Sequence, residues 1–348
     1  MTGPIFITGA SRSGTELLRA VLNRHPEVHI TGESHYFADP RARLADPARP
    51  TPREREALLD HFMRVSMHGY GLPISPTQGP GRARLEQAWA REGQGADALF
   101  TASCRANAAL EGKVRWGEKT PRHLYCIDQI LAAFPEAKII VCQRDPRAAV
   151  ISYRDWRNNW FDRSQLGASE LAAVEQEERR ARRSYNLTIA SLLWRSAIEA
   201  GRAAQARHGT DKVRLHRYED LVENPQSTVR AITDWLGLPF TNDVLNVNIV
   251  NSSYTKIANS RGIDPRVGSR WREKICKNEA AYIELLTSKH MQDSGYEREY
   301  GRPSARFLAI EIAKLAPATA RIALANHARM GSPLKFISER MRSLVQSA

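Results

Sequence analysis

The residues best suited to chemistry stand together near the N-terminus, in Pro4-Ile5-Phe6-Ile7-Thr8-Gly9-Ala10-Ser11-Arg12-Ser13-Gly14-Thr15-Glu16-Leu17-Leu18. Ile5 to Ile7 is an apolar run of strand length, and Leu17, Leu18, Val21 and Leu22 recur at helical spacing. In the loop between them, Gly9 and Gly14 admit close backbone approach. Ser11, Ser13 and Thr15 offer hydroxyls and a helix N-cap. A loop feeding a helix start gathers unpaired N–H groups at the positive end of the helix dipole, which suits a phosphate. The spacing Gly9-x4-Gly14 is that of a P-loop, yet Thr15 and Glu16 stand where a nucleotide triphosphatase needs Lys and then Ser or Thr. The basic residue lies inside the loop, at Arg12. The expectation is a phosphate cradle with a guanidinium clamp and no magnesium ligand, against ATP or GTP hydrolysis. The plain alternative is a Gly/Ser turn joining a strand to a helix.

Strands and helices alternate behind this loop. Val28 to Thr31 is a candidate second strand, ending at Gly32-Glu33-Ser34-His35. Lys113 to Pro121 looks like a third strand with its loop, Ala137 to Gln143 like a fourth, and Val213 to Tyr218 like a fifth. The fold class expected is α/β, three layers (α/β/α) around a mainly parallel, P-loop-like sheet. Ligands of such sheets gather at the C-terminal strand ends, which places Glu33 and His35 near the first loop. Residues 39–110 read as a helical and loop insertion, either a substrate cap or a plain helical layer. The mixed charge run Glu175 to Arg183 reads as a solvated face. The polar stretch 251–274 reads as a lid over an anion or as a surface loop. Residues 1–302 are expected to form one domain. Residues 303–348 read as basic amphipathic helices split at Pro317 and at Gly331-Ser332-Pro333, suited to a membrane surface, the protein body or a second subunit of a homodimer.

The 348 residues, 42% of them hydrophobic, allow a substantial core. A formal net charge of +13 favours anionic partners. It is spread along the chain without zinc-finger or RNA-binding signatures, so nucleic acid is not an expected partner. Cys104, Cys126, Cys142 and Cys276 form no C-x-x-C pair and read as thiols of a reducing compartment. The first strand opens at residue 4, leaving no room for a signal peptide, and no apolar run approaches transmembrane length. A soluble cytoplasmic protein is expected.

Five segments, in order, carry a family resemblance: the Gly9–Thr15 loop, Trp116-Gly117-Glu118-Lys119-Thr120-Pro121, Arg144-Asp145-Pro146-Arg147 through Tyr153, Arg217-Tyr218-Glu219-Asp220-Leu221 with Asn224-Pro225, and Gly268-Ser269-Arg270-Trp271. Over residues 4 to 275 they resemble the PAPS-dependent sulfotransferases, notably the bacterial branch similar to tyrosylprotein sulfotransferases. The resemblance implies that Ser11, Arg12, Ser13, Gly14 and Thr15 hold the 5'-phosphosulfate of 3'-phosphoadenosine-5'-phosphosulfate (PAPS). It implies that Arg144 and Ser152 bind the 3'-phosphate, and that Tyr218, Ser269 and Arg270 contact the donor. Such an enzyme transfers sulfonate to a hydroxyl of a small molecule, sugar, lipid or peptide by in-line displacement and releases PAP.

That reaction needs a base, positioning of both reactants, and charge stabilisation on the leaving oxygen. Arg12 and Lys119 suit the last task, and no metal is required. Cytosolic sulfotransferases carry a catalytic His after the Lys-Thr pair, but Pro121 stands there. Tyrosylprotein sulfotransferases use a Glu in a Gly-Glu pair soon after His-Pro-Glu-Val, matched by His25-Pro26-Glu27-Val28 and Gly32-Glu33. Glu33 is therefore the expected base, with His35 and His123 next. Glu16 departs from the family's second Thr and is expected to pair with Arg19 or another cation. The competing readings are a P-loop-type nucleotide-phosphate kinase, opposed by Thr15, and a non-catalytic PAP- or anion-binding protein.

Overall fold

A computed structural model describes residues 3–68, 79–155, 167–247 and 263–330. Its centre is a sheet of five short strands: β1 (Ile5–Gly9), β2 (Val28–Thr31), β3 (Arg115–Lys119), β4 (Lys138–Gln143) and β5 (Val213–Arg217). They pair in parallel in the order β2-β3-β1-β4-β5. Parallel sheets are covered on both faces, so their strands read as continuous apolar runs. The two faces separate by residue parity. Phe6, Ile139 and Val141 enter one core; Ile5, Ile7, Ile140 and Cys142 enter the other.

The first face is covered by α4 (Ala96–Leu110), α5 (Ile127–Ala133) and α8 (Leu187–His208), through residues such as Phe100, Ile130 and Trp194. The second is covered by α1 (Thr15–Asn23), α9 (Tyr218–Glu223) and α10 (Pro225–Leu236), through Leu18, Leu221 and Ile232. This is the expected three-layer arrangement. Between β2 and β3 stand α2 (Pro52–His68), α3 (Arg82–Glu92) and α4. The remaining helices are α6 (Pro146–Asp155), α7 (Ala168–Ser184), α11 (Lys277–Asp293) and α12 (Ala305–Met330).

Four local expectations change. The N-cap of α1 is Gly14 in the left-handed region (φ 84°), with no side-chain cap. β5 stops at Arg217, and Tyr218 opens α9. The run Glu175–Arg183 is not simply solvated: Glu177 and Glu178 are buried, and Arg180 bonds Asn326 of α12. Pro317, expected to split the C-terminal helices, lies inside a continuous α12. Pro317 and Ala313, the carbonyl it leaves unbonded, both face solvent, so water can satisfy the lost bond. Arg321 also anchors the helix beyond it to the carbonyls of Arg183 and Tyr185. The loop at 71–78, the stretch 251–262 and the elements after residue 330 lie outside the described residues. No helix among the described residues is long and apolar enough to cross a membrane.

β3 fits between β2 and β1 only because Gly117 lacks a side chain. A Cβ there would stand 2.3 Å from the Ile5 carbonyl and 2.4 Å from Ile30 Cδ1. Gly117→Ala is expected to cost about 3 kcal/mol of stability by overpacking. Chemical denaturation would measure this, and an unchanged midpoint would show that the sheet can spread.

Candidate active site

β1 sits between β3 and β4, and the chain leaves it for α1 and then β2 on the far side of β3. The loop after β1 therefore lies at the point where strand order reverses, where an open α/β sheet forms its crevice. Gly14 must be glycine: its φ is 84°, and a Cβ would meet Tyr218 Cδ2 at 2.2 Å. Arg12 is left-handed as well (φ 68°), which costs a non-glycine residue about 1–2 kcal/mol. That turn delivers its Nε to Ser152 Oγ at 3.2 Å, while its carbonyl accepts from Arg144 Nη1 at 3.3 Å. Arg12, Arg144 and Ser152 are thus brought together from β1, β4 and α6.

Arg144 is the electrostatic feature of this side. It is 5% exposed, and its Nε and Nη2 are buried without hydrogen-bond partners. Its guanidinium lies 4.3 Å from the centroid of the Tyr218 ring. Trp194 Nε1 donates to its carbonyl at 2.8 Å and so fixes the backbone. The buried Ser13 hydroxyl likewise lacks a partner. Thr15 is buried at the start of α1, while Ser11 is exposed.

On the other side of β1, the ends of β3 and β2 are tied by Glu118. Its Oε1 accepts from Ser34 N (2.9 Å), Ser34 Oγ (2.7 Å) and Thr120 Oγ1 (2.5 Å). Its Oε2 faces His123 Nδ1 at 3.0 Å. Burial alone would raise the Glu118 pKa; the His123 ring and these hydrogen bonds more than offset it, leaving the group below its ordinary value. His123 Nε2 accepts from Phe37 N at 3.2 Å, which turns Nδ1 toward Glu118. His123 is fully buried, its Nε2 held by Phe37 N and its Nδ1 turned to Glu118 and away from the crevice, which argues against it as a base. Tyr36 and Phe37 complete the anchorage: Tyr36 stacks on Phe100 at 4.9 Å, and Phe37 packs edge-on to Phe6.

The anchored loop places Glu33 beside Lys119. Lys119 Nζ stands 2.6 Å from Glu33 Oε1 and 3.0 Å from Glu16 Oε2. Glu16 Oε1 is held by Arg19 at 2.5 and 2.9 Å, and Glu33 Oε2 by His35 Nε2 at 3.0 Å. His35 is left-handed too (φ 53°), and its N–H donates to Thr120 Oγ1 at 3.2 Å. Burial opposes charge on each member, but the alternating partners prevail. Lys119 is held above its ordinary pKa by Glu33 and Glu16, and Glu33 is held below its own by Lys119 and His35. Glu16 likewise stays ionised beside Lys119 and Arg19.

The remaining residues expected to contact the donor are placed differently from one another. Tyr218 joins the Arg144 side of the site. Ser269 is exposed and donates its hydroxyl to the Arg266 carbonyl at 3.3 Å; Arg270 pairs with Asp264 at 3.0 Å. The turn that ends at Ser269 packs on α9, and the turn that Arg270 opens packs on α6, the helix of Ser152. Ser34, Glu118 and Thr120 stood in the sequence only as motif letters, with no role assigned to them. Polar side chains directly after apolar strands were the available signal.

A model of the sulfotransferase family matches residues 4–242. The chain is 27% identical over 251 residues to a protein-tyrosine sulfotransferase of Drosophila melanogaster, covering 70% of this chain and 39% of that protein. It is 25% identical over 310 residues to the nodulation protein NoeE of Sinorhizobium fredii, covering 84% and 66%. The chain thus spans under two thirds of the length of these relatives. Its fold is similar to the sulfotransferase domain of the curacin biosynthetic pathway (TM-score 0.54, 18% identity, covering 86% of this chain and 99% of that one). It is also similar to the sulfotransferase domain of the Synechococcus PCC 7002 olefin synthase (TM-score 0.53, 21% identity, 85% and 97%).

The Glu118 network makes a pH-dependent prediction. Glu118→Gln is expected to cost about 3 kcal/mol at pH 7, as for one partner removed from a buried pair. The native pKa lies below the unfolded one, so the wild-type advantage is full above the unfolded value and fades as pH falls through it toward the native one. Urea titrations from pH 7 down to about 3 should show the two proteins converging, since a free Glu titrates near 4.3. A constant gap would deny Glu118 a charged role.

Proposed function

This chain belongs to the sulfotransferase family, and we propose that it transfers a sulfonate from PAPS to an acceptor hydroxyl and releases PAP. The observation that carries the donor assignment is Arg144: a buried guanidinium with two donor nitrogens unspent beside Arg12 and Ser152. A buried donor left unpaired costs about 1–3 kcal/mol, and a dianionic phosphate would recover that cost through charge-assisted bonds. The residues fit such a group. Gly14 keeps the floor of the loop free of a side chain, Ser13 has an unspent hydroxyl, and the start of α1 supplies N–H groups.

In this reading Arg144 and Ser152 hold the 3'-phosphate. Arg12, Ser11, Ser13, Gly14 and Thr15 hold the 5'-phosphosulfate, and Tyr218 covers them. Ser269 and Arg270 reach the donor from the turns packed on α9 and α6. When bound, PAPS supplies an activated sulfonate and a phosphate leaving group. Lys119 and Arg12 stabilise the charge that grows on the leaving oxygen. Glu33, kept ionised by its neighbours, takes the proton of the attacking hydroxyl. The acceptor is a hydroxyl of a small molecule, sugar, lipid or peptide, selected by residues 39–110. The four unpaired cysteines agree with a cytoplasmic setting.

PAP is expected to raise the thermal midpoint, since it binds the native state alone. Arg144→Ala should weaken PAP binding by about 30- to 100-fold, the scale of a lost charge-assisted contact. Glu33→Gln should keep the PAP shift while kcat with labelled PAPS and a screened acceptor falls by at least about 100-fold. No midpoint shift with saturating PAP would overturn the donor assignment.

A further inference from the structure

The residue least explained by family likeness is Glu16, a carboxylate in the first turn of the helix that closes the phosphate loop. The structure gives it a partner: its Oε2 stands 3.0 Å from Lys119 Nζ, opposite Glu33 Oε1 at 2.6 Å. Lys119 is 5% exposed in its side chain, so the ammonium is enclosed between two carboxylates. Glu16 is itself fixed, because Arg19 grips its Oε1 and anchors to the Ile30 carbonyl. Glu33 has both oxygens engaged, Oε1 by Lys119 and Oε2 by His35. A carboxylate so held is ionised but a poor proton acceptor.

We propose that Glu16 is a positioning residue: with Glu33 it holds Lys119 in a two-carboxylate clamp that keeps Glu33 masked until an anionic donor draws the ammonium away. The inference rests on the sulfonate-transfer reading. A phosphosulfate in the β1 loop offers Lys119 a third anion, and Glu16 is the fixed pivot about which the ammonium turns. Glu33 Oε1 is then exposed to the acceptor. The acceptor's O–H proton goes to Glu33 as its oxygen bonds to sulfur. The sulfur–oxygen bond to the leaving phosphate breaks, and its electron pair stays on PAP. The clamp thus makes donor binding a precondition for an active base. It also opposes the donor, since Glu16 adds a negative charge beside the phosphate.

The test compares wild type with Glu16→Gln and Glu16→Thr, each first checked for a wild-type circular dichroism spectrum. PAP titration by calorimetry should give about tenfold tighter binding in either variant, because one competing carboxylate charge is gone. With labelled PAPS, kcat should fall about tenfold while KM for the donor also falls, the signature of a loosened Lys119. Unchanged PAP affinity with unchanged kcat would overturn the clamp. A readout independent of the donor is acetic anhydride labelling of Lys119 across pH, followed by mass spectrometry. Its midpoint should drop by about one pH unit in Glu16→Gln, as expected for a lost neighbouring charge. If wild type binds no PAP, the donor reading falls and labelling alone decides: a lowered midpoint supports the clamp, an unmoved one overturns it.

Discussion

A fully buried carboxylate, Glu118, holds the two halves of the site in register. β2 and β3 pair as far as Thr31 and Glu118, so the ladder fixes the strand ends but does not dictate the path of the loop beyond β2. Glu118 does. It takes three donors from Ser34 and Thr120 on one oxygen and faces the His123 ring with the other. A charge this deep is tolerable only when it is so completely partnered. Its partners lie directly beside Glu33, and Lys119 is the next residue along the strand. The positions of the proposed base and the proposed leaving-group cation are therefore set by one neighbouring interaction rather than by two independent loops.

β1 and β4 were legible as apolar runs, while β2, β3 and β5 carry polar or charged residues and were read from short apolar stretches alternating with helical segments. The loop between β1 and α1 stood out because glycines, hydroxyls and a cation crowd between a strand and a helix. Arg144 could be placed from its position at a strand end. What escaped was tertiary. Pro317 obeys a local rule that α12 overrides through its anchorage and a solvent-facing carbonyl. Glu177 and Glu178 look like surface charge until α12 is packed near them. His123 has the right chemistry for a base, and only three-dimensional contacts reveal that it is fully buried against Phe37 N and Glu118. Glu16 pairs with Arg19 as expected, but its second cation, Lys119, lies about a hundred positions away and only the fold identifies it.

Two non-glycine residues adopt left-handed backbone among the described residues, and both are in the site: Arg12 in the β1 loop and His35 after β2. Such conformations persist where the surroundings over-determine them. For His35 the determinants are visible: Thr120 holds its N–H, Glu33 its ring, and Tyr36 and Phe37 pull the following backbone into the aromatic core. For Arg12 they are Ser152 and Arg144. The local cost thus aims polar groups into the crevice instead of letting the loops relax outward.

The placement of β1 also has a consequence during synthesis on the ribosome. Ile5 pairs with Gly117 on one side and Lys138 on the other, so β1, which precedes both β3 and β4 in the chain, waits for both of its neighbours. At the usual ~5–20 residues per second, the segment Ile5–Ile7 stays unpaired for several seconds or more. It is short and ends in a Gly/Ser loop carrying Arg12, which limits how far a wrong partner could extend along it. The glycines and the arginine that suit this loop to a phosphate in the finished protein thus also serve, earlier, as a guard on a nascent sticky end.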